Sequence, residues 1–190
     1  MDPKQLAADQ ARFWIKDNAL ILDTETTGLD ETAEIIEISI IDCYGNTLLD
    51  TLVRPVNRIG DEAIAVHGIS NDQVKDAPAW ADVYSQFCQI IKDRTVVIYN
   101  SAYDTRLVNQ TCELHGLWYP IINAHCAMKA YAKYYGEWDD RRGNYRWIGL
   151  ERAAAIEGIG LTGNAHRALT DCQTTLALVE RMAEYQPVSA

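Results

Sequence analysis

Positive charge is scarce in this chain. Only 17 Lys and Arg stand against 27 Asp and Glu, a net charge of −10 over 190 residues. Such a protein cannot hold a polyanion by bulk attraction, so any grip on nucleic acid has to be local. Long apolar runs are missing as well. The longest stretch free of Asp, Glu, Lys and Arg runs from Leu114 to Met128 and is interrupted by Gly116 and Pro120. That falls short of the roughly 20 apolar residues a helix needs to cross a bilayer, so no membrane association is expected. The opening segment, MDPKQLAADQARFWIKD, is charged throughout and has no apolar h-region, so no secretory leader is expected there and the expected compartment is the cytoplasm. Cysteine occurs 5 times, at Cys43, Cys88, Cys112, Cys126 and Cys172, with no C-x-x-C pair to grip zinc or run thiol exchange. All five read as reduced, small apolar residues.

What is present is a core. A hydrophobic content of 48% in a chain of one domain's length is enough to fill it. Asp2-Pro3 is a helix start, so a helical arm over residues 1–18 is expected to precede a domain over 19–186. Ala19-Leu20-Ile21-Leu22 has the look of a strand buried on both faces. Ile36, Ile38 and Ile40 alternate with Glu37 and Ser39, and Tyr44-Gly45-Asn46 turns the chain into a further strand over 47–53. Helical spacing through Trp80, Val83, Phe87, Ile90 and Ile91 leads to a second apolar run, Thr95 to Tyr99, which reads as a parallel strand after a crossover. Helices are expected at about 103–115, 125–135, 148–157 and 167–184, with a short strand at Ile121-Ile122. This order describes an α/β fold, a mixed sheet of about five strands flanked by helices, with function beyond the carboxyl ends of the central strands.

Two of those ends carry acid. The first apolar strand ends Asp23-Thr24-Glu25-Thr26-Thr27-Gly28. Residues two apart share a face of a strand, so Asp23 and Glu25 present both carboxylates together while Thr24 points away. The parallel strand ends Asn100-Ser101-Ala102-Tyr103-Asp104 and brings a third carboxylate to the same edge, and Asp171 offers a fourth early in the last helix. Hard oxygen ligands gathered in this way suit Mg²⁺ or Mn²⁺. His166 lies five residues before Asp171, a step of about 140° around a helix, so the two cannot share a helical stripe. His166 is therefore expected in the lead-in after Gly163-Asn164, where it can act as a general base near neutral pH.

The three segments, Asp23-Thr-Glu25-Thr-Thr-Gly, Asn100-Ser-Ala-Tyr103-Asp104 and His166 with Asp171, resemble in order and spacing the DEDDh branch of the DnaQ-like 3′–5′ exonucleases. Ile35-Ile36-Glu37-Ile38 and Val66-His67-Gly68-Ile69 extend the likeness, which covers roughly Leu20 to Glu184. Tyr99 departs from it, since relatives often carry histidine there. The resemblance implies a ribonuclease H-like fold, two Mg²⁺ ions (Mn²⁺ substituting) on Asp23, Glu25, Asp104 and Asp171, and deprotonation of the attacking water by His166. It implies that Thr24, Thr26, Thr27, Gly28, His67, Asn100 and Tyr103 lie by the terminal nucleotide of the substrate. The implied partners are nucleic-acid 3′ ends, DNA before RNA, with a polymerase or repair partner left open.

Other readings of the same residues are an RNA exonuclease of the ribonuclease T or oligoribonuclease type, a magnesium-dependent phosphatase, and a silent single-strand-binding module. A cluster of mutually repelling anions argues against the last. Between Lys129 and Arg152 bases outnumber acids, and Tyr131, Tyr134, Tyr135, Trp138, Tyr145 and Trp147 are interleaved with them. Such a mixture of cations and planar faces suits a single strand, so Arg141, Arg142 and Arg146 with Tyr145 are expected to form a flap on the substrate side, whereas the tyrosines at 131–135 are expected in the core.

Overall fold

In the computed structural model, which describes residues 2–160, 163 and 166–187, the elements follow as α1 (Pro3–Lys16), β1 (Leu20–Thr26), β2 (Ile35–Asp42), β3 (Thr47–Leu52), α2 (Asp61–His67), α3 (Asn71–Val74), α4 (Trp80–Ile91), β4 (Thr95–Ile98), α5 (Ser101–Leu114), β5 (Asn123–Cys126), α6 (Ala127–Tyr135), β6 (Trp138–Asp139), β7 (Asn144–Tyr145), α7 (Leu150–Glu157) and α8 (Ala168–Ala183). The strands β1 to β5 form one five-stranded sheet in the order β3-β2-β1-β4-β5. β1, β2 and β3 are an antiparallel meander, and β4 and β5 run parallel to β1. This is the mixed, ribonuclease H-like sheet the sequence predicts.

Local chemistry sets the turns. The Asp42 carboxylate accepts hydrogen bonds from the Tyr44 and Asn46 N–H groups at 2.9 Å each, and Gly45 at φ +80° supplies the left-handed residue that closes the β2–β3 hairpin. At the start of α1 the Asp2 carboxylate caps the Lys4 N–H at 3.0 Å, with Pro3 at the first helical position.

Period-two alternation splits β1 between two cores. Ile21 joins Ile41, Val97 and Tyr99 beneath α1, α6 and α8, whose Ala7, Ala11, Trp14, Tyr131, Leu178 and Val179 are buried against them. Leu20 and Leu22 join Ile38, Ile40, Val96 and Ile98 beneath Trp80, Phe87 and Leu107 of α4 and α5. The helical arm α1 thus packs on the same core as the sheet. Truncating any of these fully buried Leu or Ile residues to Ala is expected to cost about 2–5 kcal/mol.

Two boundaries differ from the sequence reading. The last strand of the five-stranded sheet is β5 at Asn123–Cys126, not Ile121-Ile122. β4 begins at Thr95, which pairs with Asn123, so residues upstream have no ladder partner, and Ile121 is 95% exposed beside Pro120. Helix α5 starts at Ser101, which places Tyr103 and Asp104 in its first turn, where an acid is favoured by the helix dipole.

Candidate active site

Asp23 and Glu25 share one face of β1, opposite Ser39 and Glu37 of β2. Thr24 points the other way, as the alternation requires, and its hydroxyl donates to Asp104 Oδ1 at 2.8 Å. Asp104, only 4% exposed, is thereby tethered to the strand that carries the first two acids. Asp171 stands in the first turn of α8. His166 lies outside that helix, in a bend at φ +58°, so the separation from Asp171 is bridged by loop rather than by helical stripe. Asn164 of the expected lead-in lies outside the described residues. The side-chain ligand atoms of Glu25, His166 and Asp171 come within 4.8 Å of one another.

The acids repel one another in a poorly solvated place. Burial pushes the Asp23 carboxyl well above the usual carboxylate range, and Asp104, Asp171, Glu25 and Glu37 push it further. Burial, then the charges of Asp171, Glu37 and Asp104, lift Glu25 to about 8 against a small opposing pull from Arg167. Burial lifts Asp104 to about 7 despite the Thr24 hydroxyl, and lifts Asp171 to about 6 despite His166. Such a set suits divalent cations: the donors are hard oxygens, and bound cations relieve the repulsion.

A cleft of about 670 Å³ opens beside Glu25; Thr24 to Asp30 form one wall, and Gly60 to Ala63, Val66, His67 and Tyr103 complete its lining. Its first wall is tightly fixed. Thr26 Oγ1 donates to the Gly28 carbonyl at 2.8 Å, the Tyr103 hydroxyl lies 3.0 Å from Thr26 Oγ1, and Thr27 Oγ1 accepts the Glu34 N–H at 2.9 Å. The Ile69 N–H donates to His67 Nδ1 at 3.0 Å, which leaves the proton on Nε2 to donate to the Thr26 carbonyl at 3.2 Å. Burial lowers the His67 pKa, consistent with this neutral tautomer. A Cβ at Gly28 would meet nothing within 4 Å, so the backbone there faces open space. Asn100 sits exposed at the N-cap of α5.

Several residues of the neighbourhood escaped the sequence reading as contributors to the site. Arg106, over the Tyr103 ring at 5.1 Å, donates to the Asp30 and Leu29 carbonyls at 3.1 and 3.3 Å and props the cleft loop. Its signal was available: it lies three residues from Tyr103, on the same helix face. Glu151 of α7 approaches His166 Nε2 at 3.3 Å. Glu37, an acid inside a buried apolar strand, pairs with Arg167. At the expected flap, β6 and β7 form a small hairpin. Arg146 pairs with Glu137 at 2.7 Å and Arg142 with Asp139 at 3.7 Å, while Trp138 and Trp147 remain about half exposed. Tyr131 and Tyr134 are buried, as expected, while Tyr135 is 40% exposed.

Fold and acid set together define a nuclease, and the family model for exonucleases matches residues 20–179. The chain belongs to this family, that of the DnaQ-like 3′–5′ exonucleases. It is 42% identical over 183 residues to "Uncharacterized exonuclease CP81" of Escherichia phage 186, covering 93% of this chain and 94% of that protein. It is 34% identical over 105 residues to DNA polymerase III subunit epsilon of Buchnera aphidicola subsp. Acyrthosiphon pisum, covering 50% of this chain and 44% of the subunit. Among solved structures, exonuclease X in complex with 5′ overhanging duplex DNA superposes with a TM-score of 0.66 at 26% identity, over 86% of this chain and 90% of that one. Among the described residues, no helix is long and apolar enough to cross a membrane.

Proposed function

We propose that this protein removes nucleotides from the 3′ end of DNA, releasing nucleoside 5′-monophosphates, with Asp23, Glu25, Asp104 and Asp171 as ligands to two Mg²⁺ ions and His166 as the general base. The observation that supports it most is the convergence of four carboxylates from β1, α5 and α8 at one sheet edge, with their pKa values raised by burial and by one another. Divalent ions held there supply Lewis-acid activation of the scissile phosphate and an acidified water. The chain's own residues do the rest. The cleft beside Glu25 takes the terminal nucleotide, with the open backbone at Gly28 admitting a phosphate and Thr26, Tyr103 and His67 holding that wall rigid. The His166 imidazole accepts the proton of the attacking water. The Thr24 hydroxyl fixes the Asp104 carboxylate against β1, near enough to Asp23 for the two charges to repel.

DNA is favoured because the relatives named above include a DNA polymerase subunit and an exonuclease bound to DNA. A polymerase or repair complex is the partner this reading assigns. The cytoplasm is the compartment, where the five free cysteines stay reduced. The exonuclease unit spans 19–186, with residues 1–18 as its arm. The test offers 5′-labelled and 3′-labelled DNA and RNA oligonucleotides in parallel, with Mg²⁺ and with chelator. A ladder shortening from the 3′ end of DNA, abolished by chelator, is expected. Faster loss of RNA would make the enzyme a ribonuclease of the same mechanism, and cleavage in excess chelator would remove the metal.

A further inference from the structure

We propose that Glu37 and Arg167 form a clasp that sets the positions of His166 and Asp171, so that both are positioning residues for the reaction; this rests on the exonuclease reading above. Glu37 is the cross-strand neighbour of Glu25 and is 3% exposed, within a strand buried along its whole length. Its charge adds to the repulsion felt by Asp23, Glu25 and Asp171. A carboxylate that serves packing alone has no reason to stand there, since an apolar residue of similar volume commonly serves a core as well as an ion pair does.

Among the described residues, its side-chain bonds all lead to the start of α8. Arg167 Nε donates to Glu37 Oε1 and Oε2 at 3.0 and 3.1 Å, and Nη2 donates to Oε1 at 2.5 Å. The Ala168 N–H donates to Oε2 at 2.9 Å, so a side chain from β2 caps a helix whose own N-cap residue makes no side-chain cap. The fork geometry of guanidinium on carboxylate fixes orientation as well as distance. On one side of this anchor is His166 at φ +58°, a backbone conformation that a non-glycine residue keeps only when its surroundings hold it. On the other, the Asp171 N–H donates to the Arg167 carbonyl at 3.0 Å, which locks the turn that carries the fourth acid. Arg167 also eases the charge on Glu25. One ion pair therefore ties the residue assigned as base and one ligand carboxylate to the strand beside β1, and compensates part of the charge it adds.

The test compares wild type, Arg167→Ala and Arg167→Lys in three readouts: kcat and KM on an oligonucleotide, calorimetric binding of Mn²⁺, and the pH–rate profile. Rates are normalised to the folded fraction from thermal melts. Displacing a base and a ligand by a fraction of an ångström to an ångström predicts that Arg167→Ala loses about 10–100-fold in kcat and a similar factor in Mn²⁺ affinity. KM should stay within about 2-fold of wild type, since the cleft is untouched, and the pH profile should shift. Lys restores the charge without the fork and should recover part of both losses. If Arg167→Ala melts below the assay temperature, Arg167→Lys against wild type decides on the same readouts. Wild-type kcat and Mn²⁺ affinity per folded molecule in the variant, or a loss confined to KM, would overturn the clasp. A wild type that neither shortens a 3′ end nor binds Mn²⁺ would overturn the exonuclease reading itself, and this inference with it.

Discussion

The acid cluster and the β6–β7 hairpin are both rich in charge, and they handle it in opposite ways. On the hairpin, the acids Glu137, Asp139 and Asp140 are followed along an exposed ribbon by Arg141, Arg142 and Arg146, and two pairs form between the blocks: Arg142 with Asp139, and Arg146 with Glu137. Such exposed, solvent-screened pairs cost the fold little and add little to it. At the sheet edge, carboxylates of one sign are pressed together in a place where burial makes each of them hard to ionise. Folding opposes that arrangement, so something outside the chain has to reward it. Charge that satisfies itself marks ordinary surface, whereas charge the fold holds against its own preference marks the site.

The sharpest way to break this contrast is to delete an acid. Asp23→Ala or Asp171→Asn should abolish turnover on oligonucleotides and leave the melting temperature in chelator unchanged or higher, because each removes charge from a repelling group. A large loss of stability would mean that the acids are structural. His166→Ala should lower kcat by about 10²–10⁴, the usual range for a lost general base, and single-turnover assays across pH measure it.

The contrast also has a pH signature. In the folded chain Glu25, Asp104 and Asp171 bind protons up to about 8, 7 and 6, against ordinary values of 4.5 for Glu and 3.8 for Asp. Their raised values stabilise the fold fully at pH below the ordinary values, and this contribution is lost as pH rises through 6 to 8. The gain in melting temperature on adding Mg²⁺ should therefore grow from pH 5 to pH 8, because the cation then relieves anions that protons no longer neutralise. A gain independent of pH would place the cation elsewhere.

The smallest effect belongs to the hairpin. Two of its three arginines have carboxylate partners, and Arg141 alone has no ion pair among the described residues. Replacing all three by Ala should flatten the dependence of log KM on log salt by about 0.7, the contribution of a single phosphate contact on a single strand. A change of about 2 would mean that all three arginines leave their partners for the strand.

Much of this was legible in the sequence because its signals are short and local. A strand that ends Asp23-Thr24-Glu25 puts two carboxylates on one face whatever surrounds it, and the apolar runs at 20–22 and 95–98 announce the central strands. The helices α2 and α3 left no such trace, since seven and four residues are too few for a 3.6-residue period to emerge. The pairing of Arg142 and Arg146 with Asp139 and Glu137 was invisible for another reason. Composition counts charges and cannot tell which of them a tight turn and a two-residue ladder bring together. Glu37 reads in sequence as the polar half of an alternating strand. Only with α8 folded over β2 does it become the anchor of Arg167 and the neighbour of Glu25.

The most direct measurement is a calorimetric titration of Mn²⁺ into the metal-free protein and into its Asp23→Ala variant at pH 7, with folding of both checked by thermal melts. If the acids at the end of β1 gather a divalent cation, the wild type gives a saturable isotherm that disappears in the variant. An isotherm unchanged by the substitution, or no binding to the wild type, would contradict it.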